Sequence, residues 1–229
     1  MIRSKEDYLY YLEADRVAKS IPSQRGFFSR LKSFLYPNVW EFQCLLRKYE
    51  YYSNCKTSFF SKVYRKYIAL RFKNLSVKLG FSIPINVFGP GLSIAHTGTI
   101  IVSGGSKIGA NCRLHSCVNI GTEAGYGDRA PIIGDNCYIG PGAKIFGKIE
   151  LGTGMVIGAN AVVNKSVDGS NLLLLGIPAR IIKEVNPYDY LIPATVLVDK
   201  GLNETDEYLG VPARELNKIL NNKFSKNNK

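Results

Sequence analysis

The stretch Ile133-Ile139-Ile145-Leu151-Ile157-Val163 holds an aliphatic residue at every sixth position over 31 residues. Neither an α-helix, with a period of about 3.6, nor a half-buried strand, with a period of 2, produces that spacing; a coil of short parallel strands does. Each side of a triangular prism then turns one aliphatic side chain inward. The fourth residue after each anchor is also apolar: Cys137, Ala143, Ile149, Met155, Ala161 and Val167. Gly and polar residues fall between them, as in Gly134-Asp135-Asn136, Gly140-Pro141-Gly142 and Gly158-Ala159-Asn160, where corners are needed.

The same register runs upstream through Phe88, Ile94 and Ile100, slips by two residues, and resumes at Ile108, Leu114 and Ile120. The interval from Ile120 to Ile133 is seven residues too long, so residues 121–131 are expected to loop out of the coil. Three parts follow: a basic helical region over 1–80, a coil over 81–183 and a C-terminal extension over 184–229.

In the first part, Ser4-Lys5-Glu6-Asp7 forms a capping box that opens a helix to about residue 18, with Tyr8, Tyr11 and Leu12 on its apolar side. Pro37 suits the first turn of a second helix bearing Trp40, Cys44, Leu45 and Tyr49. A third runs from about Ser58 to Leu79, with Phe60, Tyr64, Tyr67, Ile68 and Leu75 inward and Gly80 ending it. Residues 172–183 read as a last strand of the coil. The phrase Gly176-Ile177-Pro178-Ala179-Arg180 recurs as Gly210-Val211-Pro212-Ala213-Arg214.

Charge is unevenly spread. Of the formal +12, residues 1–80 carry +10, from 16 Lys and Arg against 6 Asp and Glu. The basic residues alternate with aromatics and form no block, which reads as a solvated helix face, with no nucleic-acid module and at most peripheral membrane contact. The five cysteines are an odd number, and Cys112 and Cys137 fall at inward positions, so free buried thiols are expected rather than a disulfide framework. The N-terminus lacks the apolar core of a signal peptide, no apolar run is long enough to span a bilayer, and a cytoplasmic location is expected.

Only two histidines occur, His96 and His115. Their anchors, Ile94 and Leu114, are three hexads apart, one full turn of the prism. The two residues therefore lie on the same side of adjacent coils, whose strands stack about 4.8 Å apart, and at least one imidazole is expected to face outward. With the 121–131 loop leaving one hexad later, this flank is the candidate site. Zinc needs at least three protein ligands and no third histidine exists, so no metal is expected.

Residues 80–183 resemble the catalytic domain of the serine acetyltransferases, members of the left-handed β-helix (hexapeptide-repeat) acyltransferases. The resemblance rests on Phe88-Gly-Pro-Gly-Leu-Ser-Ile-Ala-His96-Thr-Gly-Thr, Gly127-Asp128-Arg129-Ala130-Pro131, Ile139-Gly-Pro-Gly-Ala-Lys-Ile-Phe-Gly, Ile157-Gly-Ala-Asn-Ala-Val-Val and Gly176-Ile-Pro-Ala-Arg180. It implies an α+β chain whose N-terminal helical region precedes a left-handed parallel β-helix. It implies a homotrimer, or a multiple of trimers, with active sites between subunits, and acetyl-CoA as co-substrate. His96 matches the catalytic histidine, a general base for direct transfer without an acyl-enzyme. Asp128 and Arg129, with His115 as a possible substitute for missing machinery, are the acceptor candidates. Pro141, Gly142, Ala159, Lys165 and Arg180 are the CoA candidates.

Departures accompany these matches. An Asp that pairs with the catalytic histidine is Phe81 here; an Asp commonly preceding it is Ala95; a histidine after Gly-Asp-Arg is Ala130. That pattern is similar to the serine acetyltransferase-like proteins of polysaccharide biosynthesis, so a sugar hydroxyl stands beside free serine as the acceptor. A γ-carbonic-anhydrase-like enzyme on the same coil lacks its metal ligands, and a non-catalytic trimeric scaffold would bind no CoA.

Overall fold

A computed structural model describes residues 1–23, 38–202, 207–208 and 210–226, with side chains to residue 223. Three helices open the described chain: α1 (Lys5–Ala18), α2 (Val39–Cys55) and α3 (Phe59–Leu79). The Ser4 hydroxyl accepts from the Asp7 amide at 3.0 Å, but the Asp7 carboxylate accepts from the Arg3 amide at 2.8 Å, one residue before the cap, so the reciprocal bond of the expected capping box is displaced. Pro37 lies outside the described residues, and the cap of α2 is Asn38, whose side chain accepts from the Glu41 amide. Gly80 ends α3 with φ of 78°, a left-handed conformation that glycine adopts without penalty.

Two helix faces differ from expectation. In α2 the buried side runs through Phe42, Gln43, Leu46, Arg47 and Glu50, while Trp40, Cys44 and Tyr49 are only half-buried. Its polar members are buried because partners outside the helix satisfy them. In α3, Ile68, Leu75 and Leu79 face inward, but Phe60 is 83% exposed and Tyr67 53%. That helix packs on α2 along one side, with Phe72 stacked on Phe42 at 5.1 Å. Phe60, Val63, Tyr64, Tyr67, Leu70 and Val77 fall on its exposed surface.

From Phe81 the chain winds as a three-sided parallel coil. The first face stacks β1 (Phe81–Ser82), β3 (Ile100–Val102), β6 (Asn119–Gly121), β9 (Lys144–Phe146) and β12 (Val162–Val163). The second stacks β4 (Lys107–Ile108), β7 (Ile132–Ile133) and β10 (Glu150–Leu151). The third stacks β2 (Ser93–Ile94), β5 (Arg113–Leu114), β8 (Tyr138–Ile139), β11 (Val156–Ile157) and β13 (Leu172–Gly176). All six hexad anchors from Ile133 to Val163 are buried, as are Cys112 and Cys137. Their partners set the register: Ile94 lies against Leu114, Leu114 against Ile139, and Ile139 against Ile157.

The two-residue slip is absorbed at one corner, where Ser103-Gly104-Gly105-Ser106 closes with a bond from the Ser106 amide to the Ser103 carbonyl. Residues 172–183 make two strands rather than one. After β13 the chain turns at Gly176 and returns antiparallel as β14 (Ala179–Glu184), with Leu175 opposite Arg180.

The helices close the beginning of the coil through a buried ionic cluster. Arg47, fully buried, donates to Asp15 at 2.8 and 3.2 Å, to Glu50 at 3.0 Å, and to the Phe88 and Gly89 carbonyls. Burial works against the guanidinium charge, but the Asp15 and Glu50 carboxylates outweigh it and hold its pKa above the ordinary value. Asp15 also accepts from the Leu92 amide, and Glu50 from the Asn86 amide. Gln43 bonds the Leu92 carbonyl and the Ile94 amide, and Lys19 the Ile94 carbonyl. Every free backbone group along the outer edge of β2 thus meets a helix side chain.

The extension returns to this end. A short 3₁₀ turn (Pro187–Asp189), α4 (Ala194–Asp199) and α5 (Ala213–Lys226) build a second core with α1, in which Val17 and Ala18 meet Ile192, Leu197, Leu216 and Leu220. The repeated phrase takes two forms: Gly176–Arg180 is the β13–β14 turn, whereas Pro212 opens α5 by accepting from the Leu216 amide.

Candidate active site

His96 lies two residues beyond Ile94, where the chain leaves the third face for the first, and its side chain is exposed. His115 follows Leu114 at the same corner of the next coil. The ring centroids are 6.0 Å apart. His115 Nε2 is buried without a hydrogen-bond partner among the described residues. Its pKa is lowered by burial, then by the Arg113 and His96 charges, which favours the neutral ring. Tyr138, one coil further, places its ring 5.0 Å from His115, and Tyr190 from the extension stands 5.6 Å from Tyr138.

Three CoA candidates share this corner. The Gly142 amide bonds the Ser116 carbonyl and the Asn160 amide the Pro141 carbonyl, so His115-Ser116, Pro141-Gly142 and Ala159-Asn160 stack coil upon coil. Gly142 has φ of 74°, and a Cβ there would strike the Asn160 side chain; glycine keeps the column narrow. Arg180 follows at the end of the third face, on β14, exposed.

The loop is placed elsewhere. It leaves after β6 and enters β7, at the corner between the first and second faces, and Gly105 of that corner is the neighbour of Ala130. A hexad is one face of the prism, so a departure one hexad past His115 is the next corner, not the same flank. Within one chain, His96 and Arg129 therefore stand at opposite edges of the first face. Arg129 is engaged inside its loop, 3.1 Å from Glu123 and stacked 3.7 Å over the Tyr126 ring. Asp128 beside it is exposed, and Lys165, just after β12, belongs to the loop's corner column rather than to that of His96.

Two of the residues noted as departures are buried and apolar. Phe81 is buried against Phe42, ring edge to face at 4.9 Å, and Ala130 is buried too. No carboxylate hydrogen-bonds to His96 among the described residues; its ring neighbour is His115. No group of three or more His, Cys, Asp or Glu suited to a metal ion occurs among them. A polar cavity of about 740 Å³, lined by Asn136, Thr153, Asn171, Tyr188 and Asn217, opens at the third corner and includes neither histidine.

Sequence reading missed Lys19, Arg113, Tyr138 and Tyr190. Arg113 and Tyr138 each precede an inward anchor, so their outward direction was legible. Lys19 and Tyr190 arrive from α1 and the extension, far away in sequence. Burial, with help from Arg113, lowers the Lys19 pKa to about 8, while its ammonium donates to the Ile94 carbonyl at 2.5 Å.

No family model matches the chain. It is 36% identical over 109 residues to a serine acetyltransferase of Buchnera aphidicola, an alignment covering 47% of this chain and 39% of that protein. It is 34% identical over 129 residues to a serine acetyltransferase of Staphylococcus aureus, covering 52% and 58%. The chain thus spans about half the length of the curated relatives it matches. The crystal structure of a serine acetyltransferase from Brucella abortus in complex with coenzyme A superimposes with a TM-score of 0.54 at 26% identity, over 79% of this chain and 68% of that one.

Proposed function

We propose that this chain is a CoA-dependent O-acetyltransferase of the serine acetyltransferase type, with His96 as general base. The observation that carries the reading is the single corner column joining His96 and His115 to Pro141-Gly142 and Ala159. A thioester lying along that column would bring its carbonyl to an exposed imidazole. Relatives named serine acetyltransferase, one of them solved with coenzyme A, support the donor. The polysaccharide-biosynthesis resemblance finds no support in these relatives.

A His96 nitrogen takes the proton of the acceptor hydroxyl as its oxygen attacks the thioester carbonyl. Collapse of the tetrahedral adduct breaks the C–S bond and releases the CoA sulfur, which takes that proton back. General-base assistance of this kind contributes about 10²–10⁴ in rate. Among the described residues no acid hydrogen-bonds to His96, and the ring beside it is that of His115, 6.0 Å away.

We further propose a left-handed coil of 81–183, flanked by 1–80 and 184–229 as separate parts, and assembly as a trimer in a cytoplasmic setting. His96 and the Arg129–Lys165 column lie at opposite edges of one face. A substrate that meets both must lie between two copies, and this supports an interfacial site.

The test is thiol release from acetyl-CoA with L-serine, sugars and nucleotide sugars as acceptors. His96→Ala is expected to lower kcat at least about 10²-fold with acetyl-CoA affinity nearly unchanged. Near-native turnover in that variant refutes the base; no acetyl transfer to any hydroxyl, together with no CoA binding, leaves the scaffold reading.

A further inference from the structure

The outer surface of the third face, just ahead of His96, gathers cationic groups that the proposed chemistry has not used. Arg113 and His115 straddle the inward Leu114, so both point outward, about 6.5 Å apart along the strand. Arg113 is in register with Ser93 above and Tyr138 below. The Lys19 ammonium reaches the same patch from α1, fixed to the carbonyl of Ile94, two residues before His96.

No carboxylate pairs with Arg113 or Lys19 among the described residues; the nearest acid of α1, Asp15, is bound to Arg47. Lys19 keeps two donors after its bond to Ile94, and Arg113 keeps all five. The mutual cost of these charges shows in the lowered pKa values of Lys19 and His115, to which Arg113 contributes after burial in both cases. A bound anion removes that cost and meets a fork suited to two oxygens.

We propose that Arg113 and Lys19, beside His115, form the subsite that holds the anionic group of the acceptor, a carboxylate or a phosphate, next to His96. The inference rests on the acetyltransferase reading for the word acceptor, but not for the anion. It assigns the anion to these two cations; Arg129 is already engaged by Glu123 and Tyr126 within its loop. Tyr138 and Tyr190 wall the subsite on the side away from His96.

The experiment has two arms. In the first, acetyl transfer is measured with two charged and neutral pairs, L-serine against L-serinamide and glucose 6-phosphate against glucose, for wild type, Arg113→Gln and Arg113→Lys. For the charged member that the wild type uses, Arg113→Gln is expected to raise KM about tenfold or more, with Arg113→Lys between. KM for the neutral partner and for acetyl-CoA stays within about twofold, and which pair responds separates carboxylate from phosphate. In the second, the His115 ring is titrated by NMR with and without inorganic phosphate. The anion is expected to raise its midpoint in wild type and not in Arg113→Gln.

If no acceptor is turned over, the acetyltransferase reading fails, and the phosphate titration alone decides the subsite. Unchanged KM for the charged acceptor in Arg113→Gln, a rise confined to acetyl-CoA, or a His115 midpoint indifferent to phosphate when nothing is turned over, overturns the proposal.

Discussion

Replacing Arg47 by Ala removes the centre of the buried cluster that joins the helices to the coil. Asp15 is 0% exposed and Glu50 1%. The variant strands both carboxylates and leaves the Phe88 and Gly89 carbonyls without their donor. Breaking a buried pair by deleting one partner costs about 3–5 kcal/mol. For a chain of this size each kcal/mol lowers Tm by about 2–4 °C, so a fall of about 6–20 °C is expected in thermal unfolding followed by circular dichroism. Arg47→Met restores most of the volume and none of the donors, so it separates the two contributions and is expected to stay near the Ala value. Apolar replacement of the whole cluster is not expected to rescue stability, because the Leu92 and Asn86 amides depend on those carboxylates. A Tm within about 2 °C of wild type for Arg47→Ala would refute the reasoning: the cluster would then be open to water.

Other outcomes are equally specific. Arg180→Ala is expected to raise KM for acetyl-CoA more than it lowers kcat in steady-state thiol release; the reverse pattern would give Arg180 a role in folding or chemistry. His115 carries a lowered pKa, so the unfolded chain binds its proton more readily than the folded one, and its contribution to stability is lost as pH falls below about 6.5. Between pH 7.5 and 5.5 the urea midpoint of wild type is expected to drop further than that of His115→Gln, and equal drops would contradict the assigned burial. Gly80→Ala puts a Cβ 3.1 Å from the Gly98 backbone at φ of 78°, and is expected to destabilise by about 1 kcal/mol or more, read from urea unfolding.

The coil was legible because its signal is periodic and local: Ile133 through Val163 are buried as their spacing requires. His96, His115, Pro141, Gly142 and Ala159 share a corner for the same reason, eighteen residues plus insertions making one turn. The loop's corner could have been had from that arithmetic, since Ile120 is an anchor of the first face and His115 ends the third. The buried side of α2 could not. Gln43, Arg47 and Glu50 are polar, and only partners some 30 to 50 residues away make them interior. Lys19 and Tyr190 were illegible on similar grounds. The aromatics of α3 followed helical spacing but had more apolar surface than the fold covers, so Phe60 and Tyr67 lie outside.

The helix side chains that meet the outer edge of β2 also bear on what this chain does in a crowd. A parallel coil offers at each end a row of strand donors and acceptors, a template on which a further chain can add. Asp15, Lys19 and Gln43 occupy that row at the beginning of the third face, and β14, running antiparallel, turns away the parallel strand that would continue it. A truncation starting at Phe81 would keep every hexad and expose this end. Such a fragment is expected to associate through that opened end, read as a larger species in size-exclusion chromatography, while β14 still covers the other end of the third face. The helices thus cover the edge at which winding begins, and the segment that brings Lys19 to the histidines also keeps that edge from a second chain.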